Sequence, residues 1–301
     1  MSNVYICGDG FLGKELFNDF DSDIRYRVSR QMPELKRPQL MKHSSIQSAS
    51  RKLRDQCNSI FINASGPSNV QESFKNYHES VELPAKQIEK HFELLDLTSV
   101  PLTYVYISSA AVYGETSNQG INENGLLKPM SPYAEGKIKA EETLMTLVNQ
   151  INPLVSVITL RVFSAYSENL AARILHKIAV SSRQNKHFVL SGSGYESRDY
   201  VHSSDVSRAI KFLVGKGSQE GQIFNVGSGE AMQLRKLMLI ADKVYMDIHK
   251  RHLDYSFDGR KRNGDPIDLV ANIGKISRLG FEPEVIPSQG LEKFFWRAFK
   301  T

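Results

Sequence analysis

The chain has 301 residues, 41% of them apolar, a formal charge of +5 and two cysteines. That is enough for one large α/β domain or two coupled ones, and too little cysteine for a disulfide framework or a thiolate zinc site. With no apolar run of 18 residues, no signal-peptide pattern in MSNVYICGDG, no third ligand beside His249 and His252, and no nucleic-acid-binding motif, the expectation is a cytoplasmic protein with no membrane span, metal or nucleic-acid partner.

In chain order, residues 4–7 read as a short buried strand. Gly8-Asp9-Gly10-Phe11-Leu12-Gly13 follows, then a helix over about 14–20. This is G-x-G-x-x-G between strand and helix. In that context glycines admit a pyrophosphate to the backbone, and the helix N-terminus favours its charge. Gly8, Gly10, Phe11, Leu12 and Gly13 are therefore candidate dinucleotide contacts. Residues 24–28 read as the second strand. NAD-binding folds usually end it in a carboxylate, but here Ser29 and Arg30 stand there. A guanidinium suits a 2′-phosphate, so NADP is favoured over NAD. A third strand is expected near 38–42 and a helix around 46–56. A strand from Ser59 then runs into the small residues Ala64, Ser65 and Gly66, and a helix covers about 70–90.

Residues 103–110, TYVYISSA, read as a buried parallel strand ending in Ser108 and Ser109. A loop follows. Ser131 is then a natural N-cap and Pro132 a natural first residue for a helix over 133–149. Tyr133 and Lys137 are four apart and share a face. A tyrosine of ordinary pKa, about 10, is a poor acid or base at neutral pH; a neighbouring ammonium stabilises its phenolate. With a serine hydroxyl holding the substrate oxygen, such a pair can move a proton at a carbinol while hydride moves to a nicotinamide. A further strand is expected at 155–164, a short strand and Gly-Ser turn over 187–194, a strand and turn over 223–229, and an amphipathic helix from Gln233.

YISSAAVYG and SPYAEGK resemble the extended short-chain dehydrogenase/reductases, in their NAD-dependent epimerase/dehydratase branch that acts on sugar nucleotides. LRVFS, RDYVHSSDV and RNGD resemble further runs of the same family, with Asn263 in place of its proline and Cys7 where its first glycine often stands. The resemblance implies Ser109, Tyr133 and Lys137 as catalytic residues. It adds Ala64, Ser65, Ser108, Tyr133, Lys137 and Val162 to the cofactor contacts. Ser109, Ser164, Arg198 and Arg262 become substrate contacts, the two arginines clamping a diphosphate; many relatives carry Asn at the place of Ser164. Asp199 and Asp205 read as structural and His202 as packing.

The implied fold is a Rossmann-type, doubly wound parallel α/β sheet with a smaller C-terminal substrate-binding lobe. Residues 1–164 with 198–229 would form the dinucleotide domain, and 165–197 with 230–301 the lobe. The implied assembly is a homodimer and the implied substrate a nucleoside-diphosphate sugar. Three activities compete. The first expectation, on Ser29 and Arg30, is reduction of a 4-keto-6-deoxy sugar by NADPH with Tyr133 as acid. The second is 4-epimerisation with retained NAD. The third is a non-catalytic dinucleotide-binding regulator, which the intact Ser109, Tyr133 and Lys137 oppose. Ala110 and Ala111 stand where the family's dehydratases carry an acid and a base, which opposes dehydration.

Overall fold

A computed structural model of the chain describes residues 3–20, 25–28, 59–95, 101–117, 119–148, 150, 153–168, 173–184, 186–217 and 222–300. In chain order its elements begin with β1 (Asn3–Cys7), α1 (Phe11–Asp19), β2 (Arg25–Val28), β3 (Ser59–Asn63), α2 (Val70–Ser73) and α3 (Tyr77–Leu95). Next come β4 (Leu102–Ser109), a 3-10 turn (Ala110–Tyr113), α4 (Pro132–Val148), β5 (Val155–Val162), β6 (Ser164–Tyr166) and α5 (Arg173–Arg183). Then follow β7 (Phe188–Leu190), β8 (Ser197–Arg198), β9 (Tyr200–His202), α6 (Ser203–Gly215), β10 (Gln222–Val226) and β11 (Met232–Gln233). The chain closes with α7 (Leu234–His249), β12 (Tyr255–Phe257), β13 (Asp268–Leu269), α8 (Gly274–Ser277) and α9 (Pro287–Lys300). The third strand and following helix expected within 31–56 lie outside the described residues.

Backbone contacts divide the chain into two units. The first is Met1–Val112, Ser131–Arg161 and Ser207–Phe224; the second is Tyr113–Met130, Val162–Val206 and Asn225–Thr301. A six-stranded sheet in the order β10-β5-β4-β3-β1-β2 organises the first. β1 pairs in parallel with β2 and β3, and β3 with β4. Every residue of β1 and β3 is buried, the near-continuous burial of a parallel sheet covered on both faces. The fold is Rossmann-like. β2 and β3 lie on opposite sides of β1, so the strand order reverses at the β1/β3 pair.

α3 and α4 meet closely, for a reason written in both helices. Pro84 lies inside α3 and has no N–H to give the Ser80 carbonyl four residues back. That carbonyl faces Gly136 of α4, where a Cβ would sit 2.0 Å from the Ser80 oxygen. The approach falls one residue before Lys137. The single helix expected over 70–90 is two: Asn69 Oδ1 caps α2 by accepting the Glu72 N–H at 2.9 Å, and α3 starts afresh at Tyr77.

The second unit carries three small sheets, β11-β8-β13, β12-β7 and β6-β9. Its core includes Tyr166, Leu190, Leu237, Met238, Leu291 and Phe295. α7 contributes Leu237, Met238, Ala241, Val244 and Tyr245, one stripe at helical spacing. The expectation that residues 198–229 return whole to the dinucleotide domain does not match the strand pairing. β8 pairs with β11 and β13, and β9 with β6, so backbone pairing keeps Arg198 to Val206 in the second unit. Tyr113–Met130 and Asn225–Gly229 fall there too. No helix among the described residues is long and apolar enough to cross a membrane.

Candidate active site

Open α/β sheets take ligands beyond the carboxyl ends of their strands, where the strand order reverses. Here that point is the end of β1 and β3, whose last residues, Cys7 and Asn63, are paired. Three glycines follow β1, and each is glycine for a different reason. Gly8 has φ +124°, and a Cβ on it would sit 2.6 Å from the Ala64 carbonyl oxygen. A Cβ on Gly13 would sit 2.2 Å from the Gly8 oxygen. Gly10 has φ −69°, and a Cβ there would meet nothing within 4 Å, so neither strain nor packing demands glycine. It is the N-cap of α1, which has no side-chain cap, and Phe11, Leu12 and Gly13 form the first helical turn.

An open backbone and an uncapped helix start fit a dinucleotide pyrophosphate. Gly10→Ala is therefore expected to fold with a loss of no more than about 1 kcal/mol, the cost of alanine at an N-cap. Its dissociation constant for NAD or NADP should rise about tenfold or more, read by calorimetric titration. Gly13→Ala is expected to destabilise instead, because its Cβ meets backbone. Ser29 and Arg30, the expected ribose contacts, lie outside the described residues.

The loop after β3 leans on this turn. The Ala64 N–H donates to the Cys7 carbonyl at 2.8 Å. Ser65 is buried, and its hydroxyl donates to Asn63 Oδ1 at 2.5 Å, so it faces the protein. A contact from this loop to a dinucleotide falls to backbone rather than to the Ser65 hydroxyl.

The second cluster joins the end of β4 to the start of α4. Ser131 Oγ accepts the Ala134 N–H at 3.3 Å and its carbonyl accepts the Glu135 N–H at 3.0 Å, with Pro132 first in the helix. This cap places Tyr133 in the first turn, half-buried, and Lys137 one turn on, 4% exposed. Lys137 Nζ donates to the Ile107 carbonyl at 2.8 Å and lies 4.9 Å from the centre of the Tyr106 ring. Ile107 is two residues before Ser109. Ser109 is half-buried, and its Oγ accepts the Ala111 N–H at 3.2 Å, which keeps its hydrogen for donation.

Tyr106 of β4 and Tyr113 of the turn after it are buried. Burial holds the Tyr106 phenol well above its ordinary pKa, and Glu141 and Tyr133 add to the shift. Tyr113 is fully buried and donates to Asn225 Oδ1 at 2.7 Å.

Beneath this cluster lies an ion pair that sequence reading did not pick out. Glu141, four residues after Lys137, receives Arg161 Nη2 at 2.7 Å and Nε at 3.2 Å, and the two side chains are 5% and 4% exposed. Ser108, expected beside the cofactor, donates its hydroxyl to Glu141 Oε1. The group ties α4 to β4 and β5.

The expected substrate contacts Ser164, Arg198 and Arg262 belong to the second unit. Arg198 is engaged inside it: Nη1 donates to the carbonyls of Ser197 and Ile267 at 2.8 and 2.9 Å, Nη2 to Asp265 Oδ1 and the Pro266 carbonyl at 2.6 and 2.7 Å. Its guanidinium thus organises the chain just after Arg262. Arg262 is half-buried, with Lys177 close enough that burial first, and Arg262 second, lower the lysine's pKa. Lys177, on α5, is a cation beside Arg262 that the motifs did not reveal. Ser164 is half-buried and its N–H donates to the Asp199 carbonyl at 2.9 Å; Val162 is buried at the end of β5. Asp199 Oδ1 and Oδ2 receive the Ser228 and Gly229 N–H groups at 2.6 and 2.9 Å, and Asp205 receives those of Glu284 and Val285. His202 is tied to Ser204 Oγ and Glu168 Oε2. A cavity of about 390 Å³ in this unit is lined by Asn122, Glu123, Asn124, Asn272, Lys275 and Arg278, none of them a candidate for the chemistry.

Several known proteins are similar to this chain. The chain is 27% identical over 191 residues to the uncharacterized UDP-glucose epimerase YtcB of Bacillus subtilis, a match covering 63% of this chain and 58% of that protein. It is 26% identical over 196 residues to mouse dTDP-D-glucose 4,6-dehydratase, covering 63% of this chain and 54% of that one. The chain thus spans a little over half the length of these relatives. The fold of MoeE5, solved with UDP-glucuronic acid and NAD, superposes with a TM-score of 0.81 at 20% identity, over 99% of both chains. The model of the NAD dependent epimerase/dehydratase family matches residues 8–227. The chain belongs to that family of extended short-chain dehydrogenase/reductase enzymes.

Proposed function

We propose that this protein interconverts the 4-epimers of a nucleoside-diphosphate hexose, with a nicotinamide dinucleotide held in the cradle after β1 and β3. The observation that carries the reading is the α4 face. A half-buried Tyr133 stands one turn from a buried Lys137, whose ammonium is fixed to the strand two residues before Ser109. When bound, a nicotinamide would supply the reversible hydride acceptor, the hydride leaving one face of the sugar carbon and returning to the other. Tyr133 takes the proton from the 4-hydroxyl and gives it back to the ketone oxygen. Lys137 favours the phenolate that the first transfer needs. The Ser109 hydroxyl donates to the sugar oxygen throughout and so orients it. Ala110 and Ala111 supply no acid or base for loss of water, and two named relatives, YtcB among them, carry UDP-glucose epimerase descriptions.

Arg262, with Lys177 beside it, is assigned to the diphosphate. Arg198 is assigned to the same diphosphate through the loop it holds. A homodimer fits the family, and Tyr77 on α3 and Met145 on α4 offer exposed apolar surface for it.

Reduction of a 4-keto-6-deoxy sugar by NADPH is the second reading, favoured by Ser29-Arg30 and the missing carboxylate. One experiment separates the two. Acid extraction of the purified protein should release NAD, and the protein should interconvert two UDP-hexoses without net change in dinucleotide. Cofactor-free protein that consumes added NADPH with a 4-keto sugar nucleotide, and prefers NADH after Arg30→Asp, would establish the reductase instead.

A further inference from the structure

One directed chain of hydrogen bonds runs beneath the cradle in the first unit. The Ser65 N–H and hydroxyl both donate to Asn63 Oδ1, at 3.1 and 2.5 Å. A backbone N–H can only donate, so the Asn63 oxygen faces Ser65 and its Nδ2 faces Tyr104, donating to the phenol oxygen at 2.8 Å. The single Tyr104 hydrogen then goes to His91 Nδ1, 2.9 Å away. His91 accordingly carries its proton on Nε2, which faces Cys7 Sγ at 3.9 Å. Burial, with Lys90 adding, lowers the His91 pKa to about 4, so the ring is neutral at physiological pH and this one tautomer serves both neighbours.

The chain begins and ends at the cradle. Ser65 lies in the loop after β3, and Cys7 immediately precedes Gly8. The two ends are joined directly by the Ala64 N–H on the Cys7 carbonyl, and Gly8 can approach the Ala64 carbonyl only because it lacks a Cβ. At the far side of the loop, a Cβ on Gly66 would lie 3.9 Å from Lys137 Nζ. The loop thus spans from the glycine-rich turn to the catalytic lysine. Around the chain the packing is aromatic, with Phe61 stacked on Tyr104 at 5.4 Å and edge-on to His91 at 5.1 Å. An apolar residue at 104 would fill that space equally well. A satisfied polar chain in such surroundings instead specifies one arrangement of the loop.

We infer that Tyr104 and His91 are positioning residues for the nicotinamide dinucleotide, acting through Asn63 to hold residues 64–66 against the glycine-rich turn. The inference rests on the reading of that turn as a dinucleotide site. Both side chains are buried beneath the cradle, so their loss changes its affinity and leaves the chemistry alone.

Tyr104→Phe removes one oxygen and takes away the partner of Asn63 Nδ2 and of His91 Nδ1. Titration calorimetry with NAD, NADH and NADPH should give a dissociation constant raised about tenfold. Turnover at saturating dinucleotide should stay within about twofold, because the catalytic groups are intact. His91→Gln, which keeps an acceptor for the phenol, should bind nearly as the wild type does, and His91→Leu should match Tyr104→Phe. A lower melting temperature with unchanged dissociation constants in Tyr104→Phe and His91→Leu would overturn the inference and leave the chain a purely structural one. Should Tyr104→Phe fail to fold, the comparison of His91→Gln with His91→Leu decides the matter alone. Wild-type protein that binds none of the three dinucleotides would instead overturn the cofactor reading, and the inference with it.

Discussion

Tyr133→Phe is expected to fold and to bind dinucleotide as the wild type does, while kcat falls by about 10²–10⁴-fold. Only the hydroxyl is lost, and it is the group assigned to the proton on the sugar oxygen. The helix start does not depend on it, since Ser131 and Pro132 set the cap. Nor can a neighbour replace it. Tyr106 is buried and kept protonated, and Ser109 Oγ accepts the Ala111 N–H with no base behind it. Steady-state kinetics should place the loss in kcat rather than in KM. Turnover within a few-fold of wild type would remove Tyr133 from the mechanism, and with it the proposed function.

Arg161→Met should be the most damaging single change outside the site, lowering unfolding free energy by about 3–5 kcal/mol. It takes the guanidinium from a buried Glu141 carboxylate whose other donor is the Ser108 hydroxyl on Oε1. A domain is stable by only about 5–15 kcal/mol, so such a loss is large. The double variant Glu141→Leu/Arg161→Met should recover much of it, because a buried pair often contributes little net once both charges are gone. Urea denaturation of the two variants and the wild type tests this. Equal losses in single and double variants would mean that shape, not the unpaired charge, dominates there.

Much of the candidate site was legible in the sequence because its signals are local. G-x-G-x-x-G sits between a strand and a helix, and Ser131, Pro132, Tyr133 and Lys137 lie within seven residues. Capping, glycine conformation and four-residue spacing act over one or two helical turns, so the pattern carries them unaided. The strand near 38–42 and the helix around 46–56 lie outside the described residues; within those, strand and helix positions came out close to the expectation for the same reason. The exceptions are the break at Phe74–Asn76 and the pairing of β8 and β9 away from the large sheet.

What only the tertiary structure decided is where the remaining polar groups point. Ser108 and Ser65 look alike in sequence as small hydroxyls at strand ends, yet both turn inward, to Glu141 and Asn63. Arg198 reads as a phosphate ligand, but its guanidinium meets Asp265 and two carbonyls some 67–69 residues further on. The partners of Arg161 and Tyr104 lie 20 and 41 residues back, at Glu141 and Asn63. Such pairs obey no helical or strand period. They exist because burial leaves a polar atom no water to bond, so it must take whatever partner the packed elements bring within about 3 Å. The sequence alone therefore determined the chemistry available at β4 and α4. The packing of distant elements determined which of those groups turn inward to hold the frame in place.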